Sequence, residues 1–304
     1  MNFKSAVAFS PGHITGFFKI CAHENPHQKG SIGCGIALDF GIQSAVTPIE
    51  GAGTSSVFLN GKSVKAEMIL SAVMEISDAA EKKYGSAFHF EIEETGTLPI
   101  GSGFGMSAAG TLSAVFAANE SLQLGLSRDE LIEIAHVSEV SNGSGLGDVS
   151  GVSAGGLAVR ERPGGVLFGN FYAVPAPESS VYCLVLGELS TKEIISDPAR
   201  IEKINAAGEQ ALHRFLKKPS LSSFMAESLF FSKSIGLLSE TAKKIIDSVD
   251  PADGMISQAM LGDTVFAIPS EVEGADAAVL KSLKKFGTVY ECKIHSGGPF
   301  VCHP

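Results

Sequence analysis

The segment with the clearest capacity for chemistry is a glycine-rich stretch, LPIGSGFGMSAAG, that runs from residue 98 to residue 110. Gly101, Gly103 and Gly105 alternate along it, and Ser107 opens an alanine-rich run whose composition predicts a helix. Glycines let backbone N–H groups converge on an anion, and a helix N-terminus adds free donors and the positive end of its dipole. The stretch is therefore a candidate phosphate-binding loop, and a tight structural turn is the alternative explanation of its glycines.

Two common nucleotide-binding motifs are excluded by the spacing of the glycines. The G-x-G-x-x-G pattern fails because Met106 stands where the third glycine is needed. The G-x-x-x-x-G-K-[ST] pattern fails because Ser56 precedes Gly61 at the first glycine position. Neither a Rossmann nor a P-loop fold is therefore predicted.

A second candidate segment covers residues 135 to 156. His136 and Glu139 are three residues apart, so they share one face of a predicted helix. A glycine-rich loop then leads to Asp148, and a carboxylate flanked by glycines can approach a ligand closely. A solvated loop aspartate and a histidine in the core or on the helix surface are the alternatives.

Taken in order along the chain, these segments resemble the GHMP kinase superfamily of small-molecule kinases. The resemblance rests on Pro11-Gly12, on the glycine loop, and on Asp148 seven residues before the Gly155-Gly156 pair. Five further segments are similar to the archaeal pantoate kinase family: PGHITGFF, GSIGCG, GLGDVSG, GGLAVR and SQAMLGDTVFA. The resemblance implies ATP-dependent phosphorylation of (R)-pantoate to 4-phosphopantoate in coenzyme A biosynthesis, with ATP and Mg²⁺ as cofactors.

The resemblance also implies roles for individual residues. Asp148 matches the proposed base, Ser107 and Glu139 match the magnesium-binding residues, and these three form the implied catalytic set. The residues implied to bind the ATP phosphates are Pro99, Gly101, Ser102, Gly103, Gly105, Ser107 and Ala108. Phosphoryl transfer needs this combination of phosphate donors, a metal ion and a carboxylate near the attacking hydroxyl.

A substrate that carries a carboxylate needs a cation or several donors in its pocket. Arg160 is the candidate cation, since guanidinium pairs with carboxylate in bidentate geometry. Ser31 and His136 are the candidate donors, and His13 is a weaker one. A surface arginine, a core histidine and a plain turn around Ser31 remain the alternatives.

Two departures from the superfamily pattern bear on the site. Met106 precedes Ser107 where a serine pair is usual, so one hydroxyl is missing. The C-terminal glycine-rich element is reduced to residues 259 to 263, and no site residue is assigned there.

Length and composition limit the possible domain organisation and partners of the protein. The 304 residues predict two domains, an N-terminal one over residues 1–161 and a C-terminal one over residues 162–304, divided near the turn Arg162-Pro163-Gly164-Gly165.

A net charge of -10 argues against nucleic-acid binding, and the longest apolar runs are too short to span a membrane. Five cysteines without a C-x-x-C pattern favour reduced thiols and a cytoplasmic protein. Whether the protein forms a homodimer stays open.

The elements expected to position these residues alternate between helix and strand in both halves, which indicates an α+β protein. Helices are expected over residues 66 to 84, closed by Gly85, and from the capping box at Ser127 to about Val140. Residues 151 to 160 are expected to form a loop that enters a strand. The resemblance further implies a left-handed βαβ phosphate loop and a ferredoxin-like C-terminal domain.

The sequence also contains features of other functional classes. Residues 151 to 155 fit the G-x-S-x-G pattern of hydrolases, with Asp263 and His295 following in the required order. That pattern needs a strand before Ser153, and a glycine loop stands there instead. A GHMP kinase for another alcohol, such as mevalonate or homoserine, and a non-catalytic metabolite sensor are the remaining alternatives. The complete set of Ser107, Glu139 and Asp148 argues against a sensor.

Overall fold

Two long antiparallel strands lie at the centre of the computed structural model, which describes residues 3–187 and 197–303. They are β1 (Ala6–Cys21) and β2 (Gly30–Glu50). Strand β1 continues through Pro11-Gly12, where the pairing with β2 shifts register. A proline lacks the N–H for a regular ladder, so the shift allows the strand to continue past it.

The first sheet has eight strands in the order β12-β1-β2-β5-β3-β4, with β6 paired to β2 and β7 paired to β6. Its remaining strands are β3 (Ser56–Leu59), β4 (Lys62–Ser63), β5 (Phe88–Gly96), β6 (Leu157–Arg162), β7 (Asn170–Val174) and β12 (Phe300–Cys302). One half of β2 pairs with β5 and the other half with β6.

Four helices belong to this part of the chain: α1 (Glu67–Tyr84), α2 (Met106–Ser121), α3 (Arg128–Asn142) and α4 (Asp148–Ala154). Helix α2 contacts the sheet as well as the other three helices. Thirteen of its sixteen residues are buried, which explains why it is apolar on all sides. The helix that follows the glycine loop is thus a rigid core element.

The second sheet is antiparallel and has four strands in the order β11-β8-β10-β9. They are β8 (Ser180–Gly187), β9 (Gly254–Ala259), β10 (Asp263–Pro269) and β11 (Val289–Lys293). The helices around them are α5 (Pro198–Phe215), α6 (Leu221–Ile235), α7 (Glu240–Ile246) and α8 (Ala275–Leu283). With helices after its first and third strands, this order is ferredoxin-like, as the resemblance implies.

A continuous apolar core joins the two sheets. It packs Phe17 and Phe18 of β1 against Phe215, Phe224 and Phe231 of α5 and α6. Because this core includes residues from both halves, β1 supports the second sheet as well as the first. Large buried aromatic side chains of this kind dominate core energetics.

The local helix signals are confirmed, and two expectations are wrong. Helix α1 ends at Gly85 in the left-handed conformation, and α3 begins with the capping box of Ser127 and Glu130. Asp148, however, is the first residue of helix α4 and does not lie in a loop. Helix α4 also occupies the first part of the predicted loop, up to Ala154.

The domain division after residue 161 stays a prediction, and residues 188–196 of the second predicted domain lie outside the described residues. Strands β7 and β12, both beyond that division, hydrogen-bond into the first sheet. Among the residues that the structure describes, no helix is both long and apolar enough to cross a membrane.

Candidate active site

The glycine loop before α2 adopts a conformation that only glycine accommodates easily. Gly101, Gly103 and Gly105 have φ values of 78°, 89° and 60°, all in the left-handed region. Gly105 is the N-cap of α2, and no side chain caps that end. The N–H groups of Met106 and Ser107 begin the helix, where donors have no partner within the helix and the dipole is positive.

A cavity opens against this helix end. Its lining includes loop and helix residues together with two carboxylates. The predicted site residues that line it are Gly101, Gly103, Gly105, Ser107, Ala108, Glu139 and Asp148. The cavity thus combines anion-binding backbone geometry with the carboxylates that a metal ion requires.

Helix α4 places Asp148 next to strand β1. The Nδ1 atom of His13 lies 3.2 Å from Asp148 Oδ1, and the Thr15 hydroxyl donates to the same oxygen at 3.3 Å. The His13 side chain is fully buried, while that of Asp148 is 29% exposed. Two side chains of β1 therefore contact one oxygen of Asp148, while the carboxylate remains accessible to solvent.

The charge state of Asp148 follows from these contacts. Burial acts to raise its pKa, but the hydrogen bond and charge of His13, the charge of Arg160 and the hydrogen bond from Thr15 outweigh it, so the pKa is lowered. Burial lowers the pKa of His13, although its hydrogen bond with Asp148 and the charge of that carboxylate oppose the shift. Asp148 is accordingly an ionised acceptor.

Glu139 lies behind Asp148 in α3. Its Oε1 accepts the backbone N–H of Asp148 at 2.9 Å, while Oε2 has no hydrogen-bond partner and the side chain is buried. Burial, with repulsion from Asp148, raises the pKa of Glu139 to about 8. A buried carboxyl group that lines the cavity with one free oxygen is suited to hold a cation, which would favour its ionised form.

Asp148 also lines a second cavity. Arg160 of β6 lines it and is 2% exposed, yet its Nε and Nη1 atoms have no hydrogen-bond partner. Leaving a buried guanidinium unpaired is costly, so this arrangement is best explained by an anion that binds here. Ser31 also lines the cavity, from the start of β2.

Gly147, which precedes Asp148, explains how these groups come so close. A Cβ atom at this position would lie 2.5 Å from Ser31 Oγ and 2.8 Å from Arg160 Nε. Only a glycine leaves room for both side chains beside the start of α4. The glycines around Asp148 thus allow close approach, as their spacing predicts.

Three predicted residues lie apart from the two cavities. Pro99 and Ser102 are in the glycine loop but line neither, and the Ser102 side chain is buried. His136 also lines neither, and its Nε2 lies 3.2 Å from the Pro26 carbonyl oxygen. Burial lowers the pKa of His136. The binding roles of these three residues stay predictions.

Sequence reasoning missed or undervalued residues of β1 and of the β9–β10 turn. Thr15 was not predicted and His13 was ranked last, although both contact Asp148. Met260 and Leu261 line the first cavity, although residues 259 to 263 received no site assignment. The PGHITG segment that carries the family resemblance contains both His13 and Thr15, so it held the signal for them.

The hydrolase alternative finds no support in the geometry around Ser153. This serine lies in the last turn of α4, and β6 follows it. A nucleophile elbow requires the reverse order, a strand before the serine and a helix after it. Ser153 Oγ is also buried without a hydrogen-bond partner.

The chain is similar to known kinases in sequence and in structure. Residues 68–156 match the family model described as the GHMP kinases N terminal domain. A pantoate kinase of Methanocaldococcus jannaschii is 36% identical, over 90% of this chain and 97% of that protein. A pantoate kinase of Methanospirillum hungatei is 31% identical, over 99% and 98% of the two chains.

A solved structure described as a phosphotransferase related to the CoA biosynthesis pathway is similar over the whole fold. It superposes with a TM-score of 0.83 at 30% identity and covers 98% of this chain and 99% of its own. The similarity therefore extends through both sheets and is not confined to the glycine loop.

Proposed function

The chain belongs to the pantoate kinases of the GHMP kinase superfamily, and on that premise we propose that it transfers the γ-phosphoryl group of ATP to the primary hydroxyl of (R)-pantoate. The products are 4-phosphopantoate and ADP. The observation that carries this proposal is the position of Asp148, which lines both the cavity at the helix N-terminus and the cavity at Arg160. A carboxylate placed between the anion-binding start of α2 and the unpaired Arg160 is suited to hold an acceptor hydroxyl next to the phosphate that it attacks.

On the nucleotide side, the triphosphate would bind at the start of α2. The N–H groups of the glycine loop and the Ser107 hydroxyl would donate to its oxygens, and the helix dipole would favour their charge. The buried helix keeps these donors fixed, which lowers the cost of ordering them when the phosphates bind. Met106 takes the place of a second hydroxyl, so Ser107 is the single hydroxyl donor at this helix start.

The donor set fits Mg²⁺. Glu139 supplies a carboxylate oxygen without a partner, and Ser107 lines the same cavity. No cluster of three or more potential metal ligands occurs among His, Cys, Asp and Glu in the described part of the chain. Mg²⁺ commonly binds through one or two carboxylates together with substrate phosphates, so no larger cluster is needed. When bound, the ion would neutralise charge that develops on the phosphate oxygens.

On the acceptor side, Arg160 would bind the carboxylate of pantoate, with Ser31 as a further donor. Asp148 would accept a hydrogen bond from the primary hydroxyl at the other end of the molecule. Because His13 and Thr15 occupy Oδ1 of Asp148, Oδ2 is the atom better placed to receive that proton.

The transfer step conserves atoms and charge. The hydroxyl oxygen forms a bond to the γ-phosphorus, while the bond from that phosphorus to the β,γ-bridging oxygen breaks. The hydroxyl proton passes to Asp148, and ADP leaves with the bonding pair on its β-phosphate. With a lowered pKa Asp148 is ionised at neutral pH, which suits a group that orients the hydroxyl and accepts its proton late in the step.

We place this reaction in the cytoplasm. All five cysteines are free thiols, and Cys34 and Cys183 are fully buried. A chain of this kind suits a reducing compartment.

A coupled ADP-release assay with Mg²⁺-ATP tests the proposal. Pantoate, pantothenate, mevalonate and homoserine are offered in parallel, and rapid ADP release is expected with pantoate alone. Preferential turnover of mevalonate or homoserine would contradict the substrate assignment. ATP binding without turnover of any acceptor would instead favour a metabolite sensor.

A further inference from the structure

The turn between β9 and β10 holds Leu261 in an unusual backbone conformation. Its φ is 63°, in the left-handed region that side chains with a β-carbon rarely adopt. For leucine this conformation is strained, and it persists only where the surroundings enforce it. A leucine in this conformation indicates a function for its side chain.

Contacts on both sides enforce this conformation. The N–H of Met260 donates to the Thr15 carbonyl oxygen at 2.8 Å, which ties the turn to β1 beside Asp148. The Thr264 hydroxyl donates to the Ser102 carbonyl oxygen at 2.7 Å, which ties the turn to the glycine loop. Gly262 packs against Ser102 so closely that a Cβ atom would clash. The turn thus links the glycine loop to β1, the strand whose His13 and Thr15 side chains contact Asp148.

In the part of the chain that the structure describes, Leu261 shares one property with Asp148 alone. These two residues line both the cavity at the helix N-terminus and the cavity at Arg160. Leu261 is partly buried and packs against the main hydrophobic core. Its side chain therefore forms part of the boundary where acceptor and triphosphate would meet.

The cavity at Arg160, where the acceptor would bind, also has an apolar part. Phe18, Leu146 and Leu261 line it together with Arg160 and Asp148. An acceptor whose carboxylate binds Arg160 and whose hydroxyl binds Asp148 must place its middle carbons against these apolar side chains. Pantoate carries two methyl groups on the carbon next to its CH₂OH group, and methyl groups gain free energy when they leave water for such a surface.

We propose that Leu261 is a specificity-determining residue that selects acceptors with a dimethyl-substituted carbon beside the reacting hydroxymethyl group. The inference rests on the proposed function and adds the part of the pocket that distinguishes pantoate from an unbranched dihydroxy acid. Because the turn is fixed at both ends, Leu261 provides a rigid apolar surface.

The test compares two acceptors in the ADP-release assay: pantoate and 2,4-dihydroxybutanoate, which lacks both methyl groups. Leu261→Ala and Leu261→Gly are expected to lower kcat/KM for pantoate about tenfold or more, as is typical for a few lost apolar contacts. The value for 2,4-dihydroxybutanoate is expected to change less than about threefold, so the ratio between acceptors falls.

The glycine variant keeps the test valid if the alanine variant folds poorly, because glycine relieves the strain at φ 63°. The control is Leu229→Ala, since Leu229 is partly buried and packs in the C-terminal core away from both cavities. It is expected to leave the acceptor ratio at the wild-type value.

The outcomes separate the two hypotheses. If the wild type phosphorylates pantoate and both Leu261 variants keep its acceptor ratio, or lose activity equally on both acceptors, the role of Leu261 is overturned while the proposed function stands. If the wild type phosphorylates neither acceptor, the proposed function is wrong and the inference falls with it.

Discussion

Glu139 accepts the backbone N–H of Asp148 at 2.9 Å, so the two carboxylates of the site are fixed relative to each other through the main chain. Glu139 lies near the end of α3, and Asp148 is the first residue of α4. A side chain at the start of α4 therefore depends on a buried acceptor from a neighbouring helix. Glu139 keeps one oxygen without a hydrogen-bond partner, whereas Asp148 lines both cavities, so the two residues are suited to different roles.

Replacing Asp148 tests its role in the transfer step. Asp148→Asn removes the ionised acceptor with little change in shape, and kcat is expected to fall by roughly 10²–10⁴-fold, as is typical when a general base is lost. The Kd for ATP, measured by calorimetry, is expected to stay within about threefold. Turnover near the wild-type level would remove Asp148 from the mechanism.

Replacing His13 tests how β1 tunes that carboxylate. His13→Leu removes the hydrogen bond to Asp148, so the pKa of Asp148 should rise and the acidic limb of the kcat/KM profile should move to higher pH. On the acidic side the variant should lose more activity, relative to its own value at pH 8, than the wild type does. His13→Asn retains an N–H donor and should restore part of the wild-type profile. An acidic limb that does not move in His13→Leu would refute the tuning role.

Replacing Arg160 tests the carboxylate site. Arg160→Ala should raise the KM for pantoate about 10²-fold, because charge-assisted hydrogen bonds to the substrate are lost, and the KM for ATP should change little. Arg160→Lys should recover only part of the loss, since lysine cannot form the bidentate contact. Equal increases in both KM values would contradict the assignment.

A buried carboxyl group away from the site predicts how stability depends on pH. Burial raises the pKa of Glu94 in β5 to about 7, although the Ser44 hydroxyl donates to it. Since the ordinary value is 4.5, the folded state binds more protons between these two values. The free energy of unfolding should therefore decrease as pH rises from 4.5 to 7 and stay reduced above that, by about 3 kcal/mol for this group.

Glu94→Gln should remove most of this decrease, because an amide at this position does not ionise. Urea denaturation at pH 5 and pH 8 measures the effect, and the variant should exceed the wild type mainly at pH 8. Glu93→Gln, at an exposed position of the same strand, is the matched control. A stability difference that is the same at both pH values would show that Glu94 ionisation does not carry it.

Features encoded by a few neighbouring residues could be predicted from the sequence. The capping box at Ser127 and the left-handed Gly85 were found because each signal lies within one helical turn. The length of β1 could not be predicted, because Pro11-Gly12 usually ends a strand and only the register shift against β2 lets it continue.

The same limit applies to the site. The glycine loop and Asp148 were identified from local composition, but the contacts of His13 and Thr15 with Asp148 join distant parts of the chain. Arg160 was predicted from the carboxylate of the implied substrate, whereas its burial without a partner appears only when β6, β2 and α4 are packed together. Leu261 was passed over because the segment lacks the glycines of the family pattern.

The most direct test of the account is a crystal structure of the protein with a non-hydrolysable ATP analogue, Mg²⁺ and pantoate. We expect the triphosphate to lie against the backbone N–H groups at the start of α2, and the primary hydroxyl of pantoate to hydrogen-bond to Asp148 between that helix and Arg160. A triphosphate bound elsewhere, or a pantoate hydroxyl out of reach of Asp148, would contradict it.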